Sequence, residues 1–264
     1  MISGLSGSLL SHDAVERLLR TQGEGGLALP APGAADERLR AWHADVRARL
    51  GPTAGPRTVF DEVAEPLARS LGFAVIPLSG GAETVDALLL TGGVQVAVMI
   101  VTAWGQAQGA AWRHAVHRGL AHGARWCLCI SGTAVRMVDA DRAYSRRYAE
   151  FDLALALEDD RTFPVLWGLL HSNALAPKLD GPLLDRVVAL CEQHRTEVRL
   201  SLREGVHDAL LRLIAAFRAV SSKRHDSQLL DESLIVVYRI LFLLFAEARS
   251  LVPSWHPVYH DGYT

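Results

Sequence analysis

The chain has 264 residues, is 50% hydrophobic and 21% charged, and carries a formal net charge of −2. These values describe a globular chain with room for one large domain or two small ones. They exclude a whole-chain field that would attract nucleic acid or a membrane, so any polyanion contact must come from a local patch. Three cysteines, Cys127, Cys129 and Cys191, show no structural-zinc spacing and are too few for a disulfide scaffold. They read as buried free thiols. The N-terminus lacks a basic-then-apolar leader, and the longest late apolar run, "SLIVVYRILFLLFA", contains Arg239 and is too short to span a bilayer. A cytoplasmic protein without a membrane partner is the expectation.

In chain order, residues 1–36 read as a short helix, "SHDAVERLLR" capped by Ser11 or Asp13, followed by a Gly/Pro/Ala linker. The "GEGG" glycines do not form a phosphate loop, because no strand precedes them and no GK[ST] follows. Residues 37–50 form an amphipathic helix around Leu39, Trp42, Val46 and Leu50. A second helix covers about 58–71, with Pro66 as a kink or break and Gly72 as the C-cap. The β-branched runs "FAVIPL", "VDALLL" and "VQVAVMIVTAW" predict strands, and 107–122 returns to helix. "RWCLCISG" and "AVRMVDA" predict a buried hairpin turning at Ser131–Thr133. Beyond Asp152 the texture is helical: "RTFPVLWGLLHSNAL", residues 181–217 with apolar residues near 3.6 spacing, and residues 229–251. The reading is therefore an α/β domain with a mixed sheet over 37–152, followed by an all-helical connector over 153–264.

The stretch "VDALLLTGGVQVAVMIVTAWG", residues 85–105, is strand, glycine turn, strand, with Asp86 near its start. Nucleases of the PD-(D/E)xK type use this layout to hold Mg²⁺ between an Asp on one strand and an acid on the next, with a lysine two residues on. Asp86 fits the first place as a catalytic and metal-binding residue. Ile100 and Thr102 occupy the other two, and the chain's only lysines are Lys178 and Lys223. One carboxylate makes a poor Mg²⁺ site, so the competing reading of Asp86 is a turn, cap or vestigial residue.

A basic segment follows. Residues 113–149 contain Arg113, Arg118, Arg125, Arg136, Arg142, Arg146 and Arg147, with Tyr144 and Tyr148 interleaved. Arg136, Arg142, Arg146 and Arg147 are the candidate DNA-backbone contacts. The alternative is that Asp139, Asp141 and Glu150 pair locally with these arginines. His114 and His117 stand at i, i+3, but a zinc site needs a third ligand. Neither a GxSxG elbow nor a methylase tetrad of the DPPY or NPPY type is present. The helix "DESLIVVYRILFLLFAEARSLVP" is apolar almost all round and calls for burial against more protein.

"RWCLCISGTAVRMVDADRAYSRRYAEFDL" followed by "FPVLWGLLHSNAL" resembles the N-terminal region of large fused restriction–modification proteins, the type IIG/IIL-like enzymes and related phage-defence methyltransferases. "LIVVYRILFLLFAEARSLVP" followed by "HPVYHDGYT" resembles the segment leading into their adenine-N6 methyltransferase domain. The resemblance spans roughly residues 58–264. It implies a nuclease-like α/β domain with a degenerate core, joined by a helical connector to a methyltransferase that this chain lacks. The chain would then be an N-terminal fragment, a truncated reading frame or a separate subunit, with DNA and a methyltransferase domain or subunit as partners. The resemblance implies no cofactor in this chain, Mg²⁺ only if it cleaves, and S-adenosylmethionine only in the missing domain. The rival readings are an active Mg²⁺-dependent endonuclease, with Asp86 helped by Glu83, Glu62 or Glu65, and a stand-alone protein-interaction domain.

Overall fold

The structure is a computed structural model that describes residues 2–20, 28–33, 35–78, 80–220, 225–248, 251 and 262. Residues 21–27 and 34 of the linker and nearly all of "HPVYHDGYT" lie outside the described residues. The chain divides into two compact units, Met1–His194 and Arg195–Thr264.

The first unit is built on a seven-stranded mixed sheet of order β1-β7-β6-β5-β4-β3-β2. Its strands are β1 (Leu5–Gly7), β2 (Ala74–Pro77), β3 (Val85–Thr91), β4 (Val94–Val101), β5 (Trp126–Ile130), β6 (Ala134–Asp139) and β7 (Tyr148–Asp152). Neighbours are antiparallel except β4 and β5, which run parallel. A parallel pair needs a crossover, and α5 (Trp112–Ala121) supplies it. The predicted α/β character and both predicted hairpins are present. β1 and β7 are additions: the first residues of the chain pair with β7, so they belong to the sheet rather than to a detached leader. The compact unit also runs past the 152/153 boundary that texture suggested, to His194.

One face of the sheet is covered by α1 (His12–Arg20), α2 (Ala35–Arg49) and the helices around them, which share one large apolar core with Val85, Ala87, Leu89, Met99 and Leu128. Ser11 Oγ accepts from Ala14 N at the start of α1, as expected of an N-cap. Residues 56–70 stay helical, as α3 (Pro56–Val59), a π turn (Phe60–Ala64) and α4 (Glu65–Ser70). The π turn comes just before Pro66, and Glu65 N–H reaches back to Phe60 O. The wider register absorbs the disturbance without a break. Gly72 ends α4 with φ +86°, the left-handed turn that favours glycine. The "RTFPVLWGLLHSNAL" helix is two pieces, α7 (Thr162–Leu170) and α8 (Ser172–Leu175). Between them His171 is extended and caps α8 through Nδ1, which accepts from Asn173 N. They follow α6 (Leu153–Glu158), capped by Asp152.

The opposite face is narrower and is covered by α5. Ala111, Ala115 and Gly119 form a small-residue stripe that lets α5 lie close to the strands. A Cβ on Gly119 would stand 2.7 Å from Ala140 Cβ and 2.8 Å from Cys127 Sγ. Beneath it are Val98, Ile100, Cys127, Cys129 and Val138.

α9 (Leu183–Val220) begins in the first unit, where Leu183, Leu184, Val187, Val188 and Cys191 are buried. The second unit contains the rest of α9 and α10 (Asp226–Ala248). Arg218 pairs with Asp226 at 2.6 Å, and Leu229, Ser233, Val237 and Ala246 are buried. Tyr238, Ile240, Phe242, Leu244 and Phe245 on α10 are exposed. No helix of the described residues is long and apolar enough to cross a membrane.

Candidate nucleic-acid interface

Strand register places Asp86, Ile100 and Arg136 in one row across the face under α5. Asp86 pairs with Ile100, Ile100 with Cys129, Cys129 with Arg136, and Arg136 with Glu150. Paired residues on neighbouring strands point to the same face. The row is therefore charged at both ends and apolar in the middle, where Ile100 and Cys129 are fully buried beneath α5. Burial raises the Cys129 thiol far above its usual range and pushes Cys127 up to about 12, so both are inert.

At one end lies Asp86, with its side chain only 5% exposed. His114 Nε2 stands 2.8 Å from Asp86 Oδ2 and 3.0 Å from Oδ1. Arg118 Nε is 2.8 Å from Oδ2, without the direction of a well-formed hydrogen bond. His114 and Arg118 lie four apart on α5, so both reach the same carboxylate. A buried carboxylate needs a counter-charge, and here the protein supplies it.

The same geometry tests whether Mg²⁺ fits. The ion needs several oxygen ligands. Ile100 offers none. The Thr102 hydroxyl accepts from Gln108 Nε2 at 3.2 Å. Glu62 and Glu65 are paired with Arg49 and Arg69. Glu83 is exposed and lines a recess with Thr84, Thr102 and His114. No group of three His, Cys, Asp or Glu side chains able to hold a metal ion is found among the described residues. The residues present do not fit the ion, because the place it would take beside Asp86 is held by a guanidinium and an imidazole. The reading of Asp86 as metal ligand is replaced by that of an ion-paired anchor for α5.

The arginines separate into two groups. Arg125 pairs with Asp139 at 3.1 Å and Asp185 at 2.8 Å. Arg142 and Arg147 both engage Glu192 of α9. These two predicted DNA contacts therefore tie the β6–β7 connection to the start of α9. Arg136 donates to Glu150 at 2.7 Å and stacks on the Tyr148 ring, 4.0 Å from its centroid. The local-pairing alternative describes Arg125 and Arg136. Glu192, 45 residues or more away in sequence, was not legible as a partner.

Two arginines remain without a carboxylate among the described residues. Arg113 and Arg146 are exposed, and both line a cavity of about 320 Å³ with Gly109, Trp112, Arg136 and Tyr148. Arg113 and Trp112 open α5, whose first turn has no acidic residue and no side-chain cap. Helix N-termini carry partial positive charge, so helix and side chains add with the same sign. Arg146 has φ +45°, the only described non-glycine residue with positive φ. It follows a 3-10 turn, Ala143–Ser145, and this left-handed step brings it to the cavity. Such strain costs about 1–3 kcal/mol and collects at functional positions. Sequence reasoning placed Arg136 and Arg146 among the candidates. It left Trp112 out, and counted Arg113 only as part of the patch.

Comparison with known proteins gives no matching family, no matching curated protein and no matching solved structure. The chemistry rests on this geometry.

Proposed function

We propose that this chain is a DNA-binding scaffold: a nuclease-like α/β domain without a working metal site, carrying a helical connector, and serving a restriction–modification or phage-defence methyltransferase. The observation that carries the reading is the cavity at the start of α5. There, Arg113 and Arg146, without a carboxylate partner among the described residues, stand beside Trp112, Tyr148 and a helix N-terminus, on a chain whose net charge is slightly negative. Backbone phosphates are the ligands that such a local patch suits. The paired state of Asp86 supports binding without cleavage. The exposed apolar side chains of α10 support a further protein partner, which the resemblance makes a methyltransferase domain or subunit.

The test is DNA affinity at two salt concentrations, with plasmid cleavage in Mg²⁺ or Mn²⁺ measured in parallel. Binding should weaken as salt rises, with a log–log slope of roughly −2 for two phosphate contacts. No nicking should accompany it. Salt-independent or absent binding would overturn the reading, and cleavage lost in Asp86→Ala would restore the endonuclease.

A further inference from the structure

We infer that the cavity at the start of α5 takes a single unstacked nucleotide, with its phosphate on Arg113 and Arg146 and its base against Trp112. This rests on the DNA-binding reading and narrows it to single-stranded nucleic acid. Three observations converge. The cavity, about 320 Å³, is of the size that holds small ligands. Its polar lining is cationic: Arg113, Arg136 and Arg146, with no acidic residue among the lining side chains. Its aromatic lining is asymmetric. Tyr148 already carries the Arg136 guanidinium on its ring, whereas Trp112 is half-buried and stacks with no aromatic or cationic partner among the described residues. A duplex keeps its bases stacked on one another and offers this site phosphates only. A single strand offers a base as well, and base–aromatic stacking is the usual device for holding one.

The positions of the residues match the two ends of such a ligand. Trp112 and Arg113 are consecutive at the start of α5, and Arg146 approaches from the β6–β7 connection. The strained backbone at Arg146 gives an independent handle. Glycine there relieves the left-handed conformation while removing the cation, so stability and binding should move in opposite directions.

The experiment uses the full chain with a fluorescein-labelled thymidine oligonucleotide, the same strand as a T·A duplex, and polyglutamate as competitor. The expected result is tighter binding of the single strand than of the duplex. Trp112→Ala should weaken the single strand about tenfold and leave the duplex unchanged, while Trp112→Phe keeps both. Arg146→Gly should weaken both forms about fivefold while raising Tm by roughly 2–4 °C. The single-strand preference is read on the unmodified chain, so misfolding of Trp112→Ala cannot shelter the inference: equal affinity for the two forms would overturn it. If Arg113→Ala and Arg146→Gly weaken binding but Trp112→Ala, shown to be folded, does not, the nucleotide inference falls and backbone binding stands. If polyglutamate displaces the oligonucleotide at equal charge concentration, the cavity is a general anion site and the inference also falls. If neither nucleic acid binds, both readings fall.

Discussion

Asp86 and Arg146 are both charged residues beside α5, and the protein treats them in opposite ways. Asp86 is buried and held by His114 and Arg118. Arg146 is exposed, lacks a carboxylate among the described residues, and sits on a strained backbone. A charge that serves the fold is neutralised from within. A charge left uncompensated at some conformational cost is available to another molecule. Arg142 and Arg147, four residues and one residue from Arg146, show that proximity in sequence does not decide between the two uses, because Glu192 engages both.

The largest expected effect breaks the first side of this comparison. Asp86→Ala leaves Arg118 and His114 facing a buried gap and should cost about 2–3 kcal/mol in urea unfolding, reduced from the fully buried case because both partners are partly exposed. The double replacement Asp86→Leu with Arg118→Met sharpens it, since apolar groups of similar size commonly match a buried pair. Recovery of most of the loss is expected, and a double variant as unstable as Asp86→Ala would mean the pair acts through more than mutual neutralisation. Next in size is Gly119→Ala, which sets a Cβ against Ala140 and Cys127. It should destabilise by about 1–2 kcal/mol despite alanine's better helix propensity. An unchanged midpoint would show that α5 does not lie as close to the sheet as the row of charges requires.

Smaller effects probe the second side. Arg147→Ala loses one partly exposed ion pair and should cost under about 1 kcal/mol, with DNA affinity unchanged. Arg146→Ala should change affinity instead. Equal effects on binding from the two variants would erase the distinction between paired and unpaired arginines. The smallest effect lies outside both sites. Burial, helped by Arg47, lowers the pKa of His43 below its ordinary 6.5, against the pull of Asp152 and Glu158. The unfolded chain therefore binds the proton more readily, and this contribution to stability is full above about pH 6.5. It declines as pH falls from there through the depressed folded value. His43→Gln should flatten that part of the stability–pH curve.

Much of the fold was legible. The β2–β3–β4 strands, the hairpin at Ser131–Thr133 and the long helices follow from β-branched runs and 3.6-residue spacing. β1 was not, because "LSG" is three residues with a terminal glycine and acquires strand character only by pairing with β7. β7 was hidden in a charged segment whose arginines masked its strand alternation. In the site, the absence of an acid and a lysine opposite Asp86 could be read directly from Ile100 and Thr102. The pairing of Asp86 with α5 could not, since His114 lies 28 residues from Asp86 and only the crossover through α5 brings them together. The left-handed conformation of Arg146 had no sequence signal, because it is imposed by the connection between β6 and β7 rather than by a glycine.

The most direct test of the central claim is DNA affinity of the unmodified chain and of Arg113→Ala/Arg146→Ala across a salt series, with Mg²⁺ present and strand cleavage scored on the same samples. The expected result is salt-sensitive binding by the unmodified chain, a shallower salt slope in the double variant by roughly two phosphate contacts, and intact DNA throughout. Equal affinity and slope for the two proteins, or Mg²⁺-dependent nicking that disappears with Asp86→Ala, would contradict it.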